Sequence, residues 1–256
     1  MTSLPVPAAS RADANIRSTA THRAYSGASP TMRPTGVPNR SSAVSRSAAA
    51  ASDTLARVTG PTRLLVIRHG QSEWNAVGRW QGRADVAFDE AGRLQAAEAA
   101  LALGTFDGVW ASDLQRALLT AMIIAEILGI GPVQVDARLG ETDVGPWEGL
   151  TQREVEEGWP GYLAERRRPE GFEPYDDAAR RMVAALHDIA QQHLGGEVLV
   201  VSHGGVIRAA RRLLDAPADR MPNLSGSWFT VDDNGQVHAG EQVALIDHTR
   251  SASDVL

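Results

Sequence analysis

Leu64-Leu65-Val66-Ile67-Arg68-His69-Gly70-Gln71-Ser72-Glu73-Trp74-Asn75 is the stretch on which the reading of this chain turns. Residues 64–67 form an uninterrupted apolar run, too short for a helix and suited to a strand buried on both faces. The run breaks at Arg68-His69-Gly70. A cation, an imidazole and a residue that lets the backbone turn sharply thus fall just past the carboxyl end of a core strand, where open α/β sheets place their ligands. A second run, Glu197-Val198-Leu199-Val200-Val201, ends the same way in Ser202-His203-Gly204-Gly205, and a helical pattern follows (Val206, Ile207, Ala210, Leu213, Leu214). A third, Val109-Trp110-Ala111, leads through Ser112-Asp113, an expected N-cap, into a helix whose first turn holds Arg116. Two histidines and two arginines converging on strand ends make a small positive pocket, suited to a phosphoryl dianion.

The composition sharpens this. The chain has 256 residues, a net charge of −6 and no cysteine, so disulfides and thiolate metal sites are excluded and a general nucleic-acid binder is disfavoured. All basic residues are arginine. No apolar run has the length of a membrane span, so no membrane partner is expected. Residues 1–60 hold seven arginines and two aspartates, a net +5, so residues 61–256 carry −11. That first segment is rich in Ala, Ser, Pro and Thr without an apolar period and is expected to be a disordered extension. A solvated tail, an organelle-type targeting peptide and an early start site are its three readings, with the tail or start site preferred. Without the apolar core of a secretory signal, the expected location is the cytoplasm. Asn223-Leu224-Ser225 matches a glycosylation pattern that has no meaning without secretion.

From residue 61 onward strands alternate with helices, which predicts an α/β three-layer sandwich: a mainly parallel sheet with helices on both faces. Asp89 is the expected cap of a helix with Leu94, Ala97 and Leu101 inward and Gly104 as its stop. The next helix, about 113–128, is expected to bury Leu114, Ala117, Leu118, Ala121, Ala125 and Leu128, with Gly129 ending it. A short strand at 133–136 precedes a long loop, 138–173, with one helix near 152–157. Asp176 or Asp177 should cap a helix with Met182, Leu186, Ile189 and His193 inward. Two strands joined by Asp233-Asn234-Gly235 close the domain as a hairpin.

Cleaving a phosphomonoester needs a nucleophile, a clamp for the equatorial oxygens and a proton for the leaving oxygen. His69, at the tight strand–loop junction, is the better nucleophile, held neutral by neighbouring arginines. His203, Arg68 and Arg116 suit the clamp. Glu141 and Glu148 both sit in Glu141-Thr142-Asp143-Val144-Gly145-Pro146-Trp147-Glu148-Gly149 and are both candidates for the acid. No carboxylate–histidine cluster has metal-ligand spacing, so neither metal nor cofactor is expected. Arg166-Arg167-Arg168 reads as a solvated loop, with contact to an anionic substrate tail as the alternative.

Arg68-His69-Gly70 with Asn75, the Ser112-to-Ala117 block, the Glu141-to-Gly149 block and Ser202-His203-Gly204-Gly205 resemble, in order and spacing, the four motifs of the histidine phosphatase superfamily, which includes the phosphoglycerate mutases. The resemblance implies a phosphohistidine at His69, acid/base work by Glu141 with Glu148 in a supporting turn, and phosphate or substrate contacts from Arg68, Asn75, Gln81, Gly82, Arg116, His203 and Gly204. It implies a small phosphorylated metabolite as ligand and a homodimer as the assembly. Three features resemble the phosphatase branch rather than the mutases: no arginine follows Glu141, the segment 149–198 is short, and Trp80-Gln81-Gly82-Arg83 reads as phosphatase-like. Gly171-Phe172-Glu173-Pro174 departs from the Gly-Gly-Glu-Ser turn of many relatives, which predicts a stiffer, more apolar pocket wall. Gly226-Ser227-Trp228 and Ser253-Asp254-Val255-Leu256 are similar to a subfamily, the actinobacterial glucosyl-3-phosphoglycerate phosphatases. Sugar phosphates, phosphoglycerate esters and cobalamin-precursor phosphates are the expected substrates. A mutase, or an inert module that binds phosphorylated ligands, are the alternatives.

Overall fold

Six strands make one sheet: β1 (Thr62–Arg68), β2 (Gly108–Ala111), β3 (Val133–Val135), β4 (Glu197–Ser202), β5 (Ser225–Val231) and β6 (Val237–Ala244). Their spatial order is β3-β2-β4-β1-β5-β6. The first four positions pair in parallel, and β5 and β6 join antiparallel at the β1 edge. Helices α1 (Glu73–Ala76), α2 (Glu90–Leu101), α3 (Gln115–Leu128), α4 (Gln152–Gly158), α5 (Tyr175–Gln192) and α6 (Gly204–Leu213) fill the connections. This computed structural model describes residues 60–247, all within the unit Thr54–Leu256, one of two into which the chain divides. The extension before residue 60 and the terminal Ser253-Asp254-Val255-Leu256 lie outside the described residues.

The period-two alternation of the central strands produces the three layers. Leu64 and Val66 of β1, with Val198 and Val200 of β4, face a core shared with Met182, Leu186 and Ile189 of α5 and Val206, Ile207 and Ala210 of α6. Leu65, Ile67, Leu199 and Val201 point the other way, to Ala96, Ala99 and Ala100 of α2 and Ala117, Ala121 and Ile124 of α3. A third cluster, around Val144, Trp147, Val155 and Phe172, belongs to the 138–173 segment, which carries α4 and two 3₁₀ turns.

Several helix details differ from the sequence reading. Asp89 caps α2 as expected, its side chain accepting from the Gly92 amide at 2.7 Å. The inward stripe does not follow the leucines: Leu94 is 62 % and Leu101 82 % exposed, while the alanines pack against alanines of α3. Small facing residues let two backbones approach closely, and a leucine there would hold them apart. The helix also stops at Leu101, before Gly104. In α3 the N-cap is Leu114, and the Ser112 hydroxyl instead accepts from the Leu114 amide at 3.2 Å. Its buried face keeps Ala117, Ala121 and Ala125 but takes in Arg116, Thr120 and Ile124 in place of Leu118 and Leu128. Pro174 begins α5, with Asp176 and Asp177 in the first turn, where negative charge suits the helix dipole. His193 is its C-cap, accepting from the Trp110 indole N–H at 3.3 Å. Arg168 is no solvated loop residue: its guanidinium lies 5.3 Å from the Trp147 ring centre and 5.4 Å from those of Phe172 and Tyr175.

The antiparallel addition of β5 depends on one small residue. Gly226 pairs with Ile67, and a Cβ there would press on the Val66 carbonyl oxygen and come within 2.8 Å of the Ile67 Cα. Both are backbone atoms of β1, which cannot swing aside as the end of a flexible side chain would. Gly226→Ala is expected to cost about 2 kcal/mol, in the range for overpacking, read as a lower urea midpoint at unchanged slope.

Candidate active site

The parallel register sets Arg68 of β1 beside Ser202 of β4, so both strands end at the same level. The His69 amide extends the ladder by donating to the Ser202 carbonyl at 3.0 Å. The next residue of each strand is therefore a histidine placed side by side, and the rings of His69 and His203 meet edge-on with centres 5.0 Å apart. Both rings are almost wholly buried, at 3 % and 0 % exposure.

His69 Nδ1 lies 2.6 Å from the Gly70 carbonyl oxygen. A carbonyl only accepts, so Nδ1 carries the proton of the neutral ring and Nε2 keeps its lone pair. Arg116 faces that lone pair, its Nε donating to His69 Nε2 at 3.3 Å. The other arms of the same guanidinium donate to the Ala84 carbonyl at 2.7 Å and the Gly82 carbonyl at 2.9 Å. Thr120 ties helix to loop: it accepts from the Gly70 amide at 3.0 Å and donates to the Arg116 carbonyl at 2.7 Å. Burial, then Arg116 and Arg68, hold the His69 imidazole well below its ordinary pKa. His203 is lowered likewise, by burial first and then by Arg116, His69 and Arg68. Its Nε2 lies 2.9 Å from the Ser112 hydroxyl, and its buried Nδ1 has no hydrogen-bond partner among the described residues.

Glu141 and Glu148 separate clearly. The Glu141 carboxylate sits over the start of α6, accepting from the Gly205 amide at 3.0 Å and the Val206 amide at 2.9 Å, and from its neighbour Thr142 at 2.8 Å. A Cβ on Gly205 would stand within 3.0 Å of the Glu141 Cδ, so glycine is what admits the carboxylate. Arg181 holds this loop from behind, donating to the carbonyls of Arg138 and Gly140 at 2.7 Å and of Glu141 at 3.0 Å while pairing with Glu173 at 2.8 Å. Glu148 instead accepts from the Ala84 amide at 2.9 Å and braces the loop that carries Gly82.

One cavity of about 370 Å³ gathers Arg68, His69, Asn75, Gln81, Gly82, Arg116, Glu141 and Gly204, with Phe172 and Tyr175 on its wall; Glu148 does not line it, and His203 packs against His69. A larger depression of about 630 Å³, also lined by Phe172, contains none of the predicted site residues. Arg68 donates to the Met221 carbonyl at 2.8 Å, and burial lowers its pKa to about 10. Gln81 accepts from the Ser72 hydroxyl at 3.0 Å. Sequence reasoning passed over Asn223, whose side-chain amide donates to the His69 carbonyl at 2.9 Å and to the Asn75 side-chain oxygen at 3.3 Å. It also passed over Thr120, Arg181, Arg208 and Arg220. Only spatial proximity identifies these; their local sequence is that of ordinary helix and loop. No group of three or more His, Cys, Asp or Glu among the described residues is arranged to hold a metal ion, and no described helix is long and apolar enough to cross a membrane.

Comparison with known proteins agrees with this geometry. Residues 64–240 match the Histidine phosphatase superfamily (branch 1). A glucosyl-3-phosphoglycerate phosphatase of Mycolicibacterium vanbaalenii is 36 % identical over 211 residues, covering 75 % of this chain and 87 % of that protein. A metal-independent phosphoserine phosphatase of Arabidopsis thaliana is 39 % identical over 158 residues, covering 58 % of this chain and 66 % of that protein. Among solved structures, a mycobacterial glucosyl-3-phosphoglycerate phosphatase complexed with VO3 superimposes with a TM-score of 0.64 at 32 % identity, covering 71 % of this chain and 99 % of that one. The chain belongs to branch 1 of the histidine phosphatase superfamily and is a phosphatase.

Proposed function

We propose that this phosphatase hydrolyses a small phosphorylated metabolite through a phosphohistidine at His69, with a phosphoglycerate ester such as glucosyl-3-phosphoglycerate as the first substrate to test. The observation that carries the reading is the pinning of His69 Nδ1 to the Gly70 carbonyl, which leaves Nε2 as a lone pair beside Arg116 in the cavity. Nε2 attacks phosphorus, a P–N bond forms and the P–O ester bond breaks. Arg68, Arg116 and His203 take the equatorial oxygens, while Glu141 protonates the departing oxygen. The Glu141 carboxylate then takes a proton from water, whose oxygen attacks phosphorus and displaces His69, releasing inorganic phosphate. Asn75, Gln81 and the Gly82 and Gly204 backbone shape the mouth of the same cavity. The positive charge that a metal ion would otherwise supply comes here from guanidinium groups. The substrate choice rests on the named activities of the relatives at moderate identity.

A panel of glucosyl-3-phosphoglycerate, 3-phosphoglycerate, phosphoserine and p-nitrophenyl phosphate, assayed with EDTA present, tests this. Phosphate release should survive EDTA and vanish in His69→Ala. Glu141→Gln should slow the alkyl esters by about 10²-fold or more and the aryl ester, with its good leaving group, far less. Conversion of 3- to 2-phosphoglycerate without phosphate release would instead identify a mutase, and equal loss on both ester types would remove the acid role from Glu141.

The neutral nucleophile also fixes a pH dependence of stability. In the folded protein both buried imidazoles stay neutral well below pH 6.5, while the unfolded chain protonates them near that value. The unfolded state then binds more protons, so stability is full above pH 6.5 and falls as pH drops, by up to about 1.4 kcal/mol per histidine per pH unit. The urea midpoint is expected to drop between pH 7 and 5.5, a window above carboxylate titration, and a His69→Asn, His203→Asn double variant should lose most of that drop.

A further inference from the structure

The cavity holds more positive charge than a phosphoryl group requires. Its wall carries Arg68, Arg79, Arg116, Arg208 and Arg220 against a single carboxylate, Glu141. Arg79 is paired with Glu154 at 3.0 Å. Of the four others, Arg68 and Arg116 face the phosphoryl dianion, and Glu141, protonated in its acid role, neutralises neither of the remaining two. The surplus sits on Arg208 and Arg220. Arg208, in α6, uses only its Nε, donating to the Gly204 carbonyl at 3.1 Å, and neither residue forms an ion pair among the described residues. Arg220 is exposed at the rim, next to Met221, whose carbonyl holds Arg68. Both line the same cavity as Arg68, whose pKa is lowered by burial first and then by the charges of Arg208, Arg116 and Arg220.

Two unpaired like charges beside a third repel one another, and an anion between them relieves that repulsion. Planar guanidinium forks suit a carboxylate. We infer that Arg208 and Arg220 form a second anion subsite beside the phosphoryl clamp, and that it selects phosphomonoesters bearing a carboxylate. This rests on the phosphatase reading above and adds the chemical class of the substrate and the side chains that read it. The phosphoryl end enters at Arg68 and Arg116, the carboxylate turns toward Arg208 and Arg220, and the remainder of the molecule meets Trp80, Phe172 and Tyr175.

Matched esters differing in the carboxylate alone test the subsite: 3-phosphoglycerate against glycerol 3-phosphate, and phosphoserine against phosphoethanolamine. The wild-type enzyme should favour the carboxylate member by about tenfold or more in kcat/KM, chiefly through KM, since distal binding that is equal in ground and transition states appears there. Arg208→Gln and Arg220→Gln should each lower that ratio severalfold, and Arg220→Lys should restore part of it. Equal turnover of both members by the wild type, or variants that slow both members alike, would overturn the subsite while leaving the phosphatase intact. If no ester on the panel is hydrolysed, the phosphatase reading fails. The subsite is then judged by calorimetry on the same proteins: tighter binding of 3-phosphoglycerate than of glycerol 3-phosphate, abolished by Arg220→Gln, sustains it, and equal binding overturns it.

Discussion

A guanidinium buried without a carboxylate partner is the constraint on which this site depends. Arg116 has no exposed surface and forms no ion pair among the described residues. Burying a charge without a carboxylate in contact is costly, so its N–H groups need acceptors, and three of the five have them. The fold supplies the carbonyls of Gly82 and Ala84 and the lone pair of His69. Meeting that demand organises the surroundings. The 80–85 loop is drawn over the cavity and braced by Glu148, and Thr120 links the helix that carries Arg116 to the turn after His69. Burial first, and then this charge, lowers the pKa of both imidazoles.

The sheet makes this arrangement possible. Parallel strands in register end at one level, so a motif that finishes β1 and another that finishes β4 become neighbours although more than a hundred residues separate them. The third contribution, from the β2 end, arrives through the Ser112 hydroxyl beneath His203 and Arg116 one helical turn later. Glu141 enters from a different direction, on a loop clasped by Arg181, and meets the amide end of α6. Three rigid strand ends and one clasped loop are what hold His69, His203, Arg68, Arg116 and Glu141 at fixed separations.

Much of this was legible in the chain. Apolar runs that end in Arg-His-Gly and Ser-His-Gly-Gly state both the strand and the chemistry at its end, because a strand buried on both faces leaves polar residues nowhere else to go. The three-layer order followed from strand–helix alternation. Less legible was whatever depends on partners distant in sequence. Leucine periodicity misplaced the inner face of α2, since the choice between leucine and alanine is set by how closely α3 approaches. The Arg166-Arg167-Arg168 run looked solvated, yet Arg168 meets three rings contributed by separate turns. Asn223 carried only a glycosylation pattern, whereas its amide holds the backbone of His69. Residue type left Glu141 and Glu148 both open and the resemblance pointed to Glu141; the coordinates add that Glu141 lines the cavity while Glu148 does not.

The central claim is that His69 Nε2 becomes covalently phosphorylated. Mixing enzyme with excess phosphomonoester, quenching in alkali within the first turnovers and mapping the peptides by mass spectrometry tests it most directly, since a P–N bond to imidazole survives alkali. The account predicts phosphate on the peptide containing His69, absent from His69→Asn and still present, in slower turnover, in Glu141→Gln. Phosphate found on His203 instead, or steady phosphate release with no labelled histidine at any time, would contradict it.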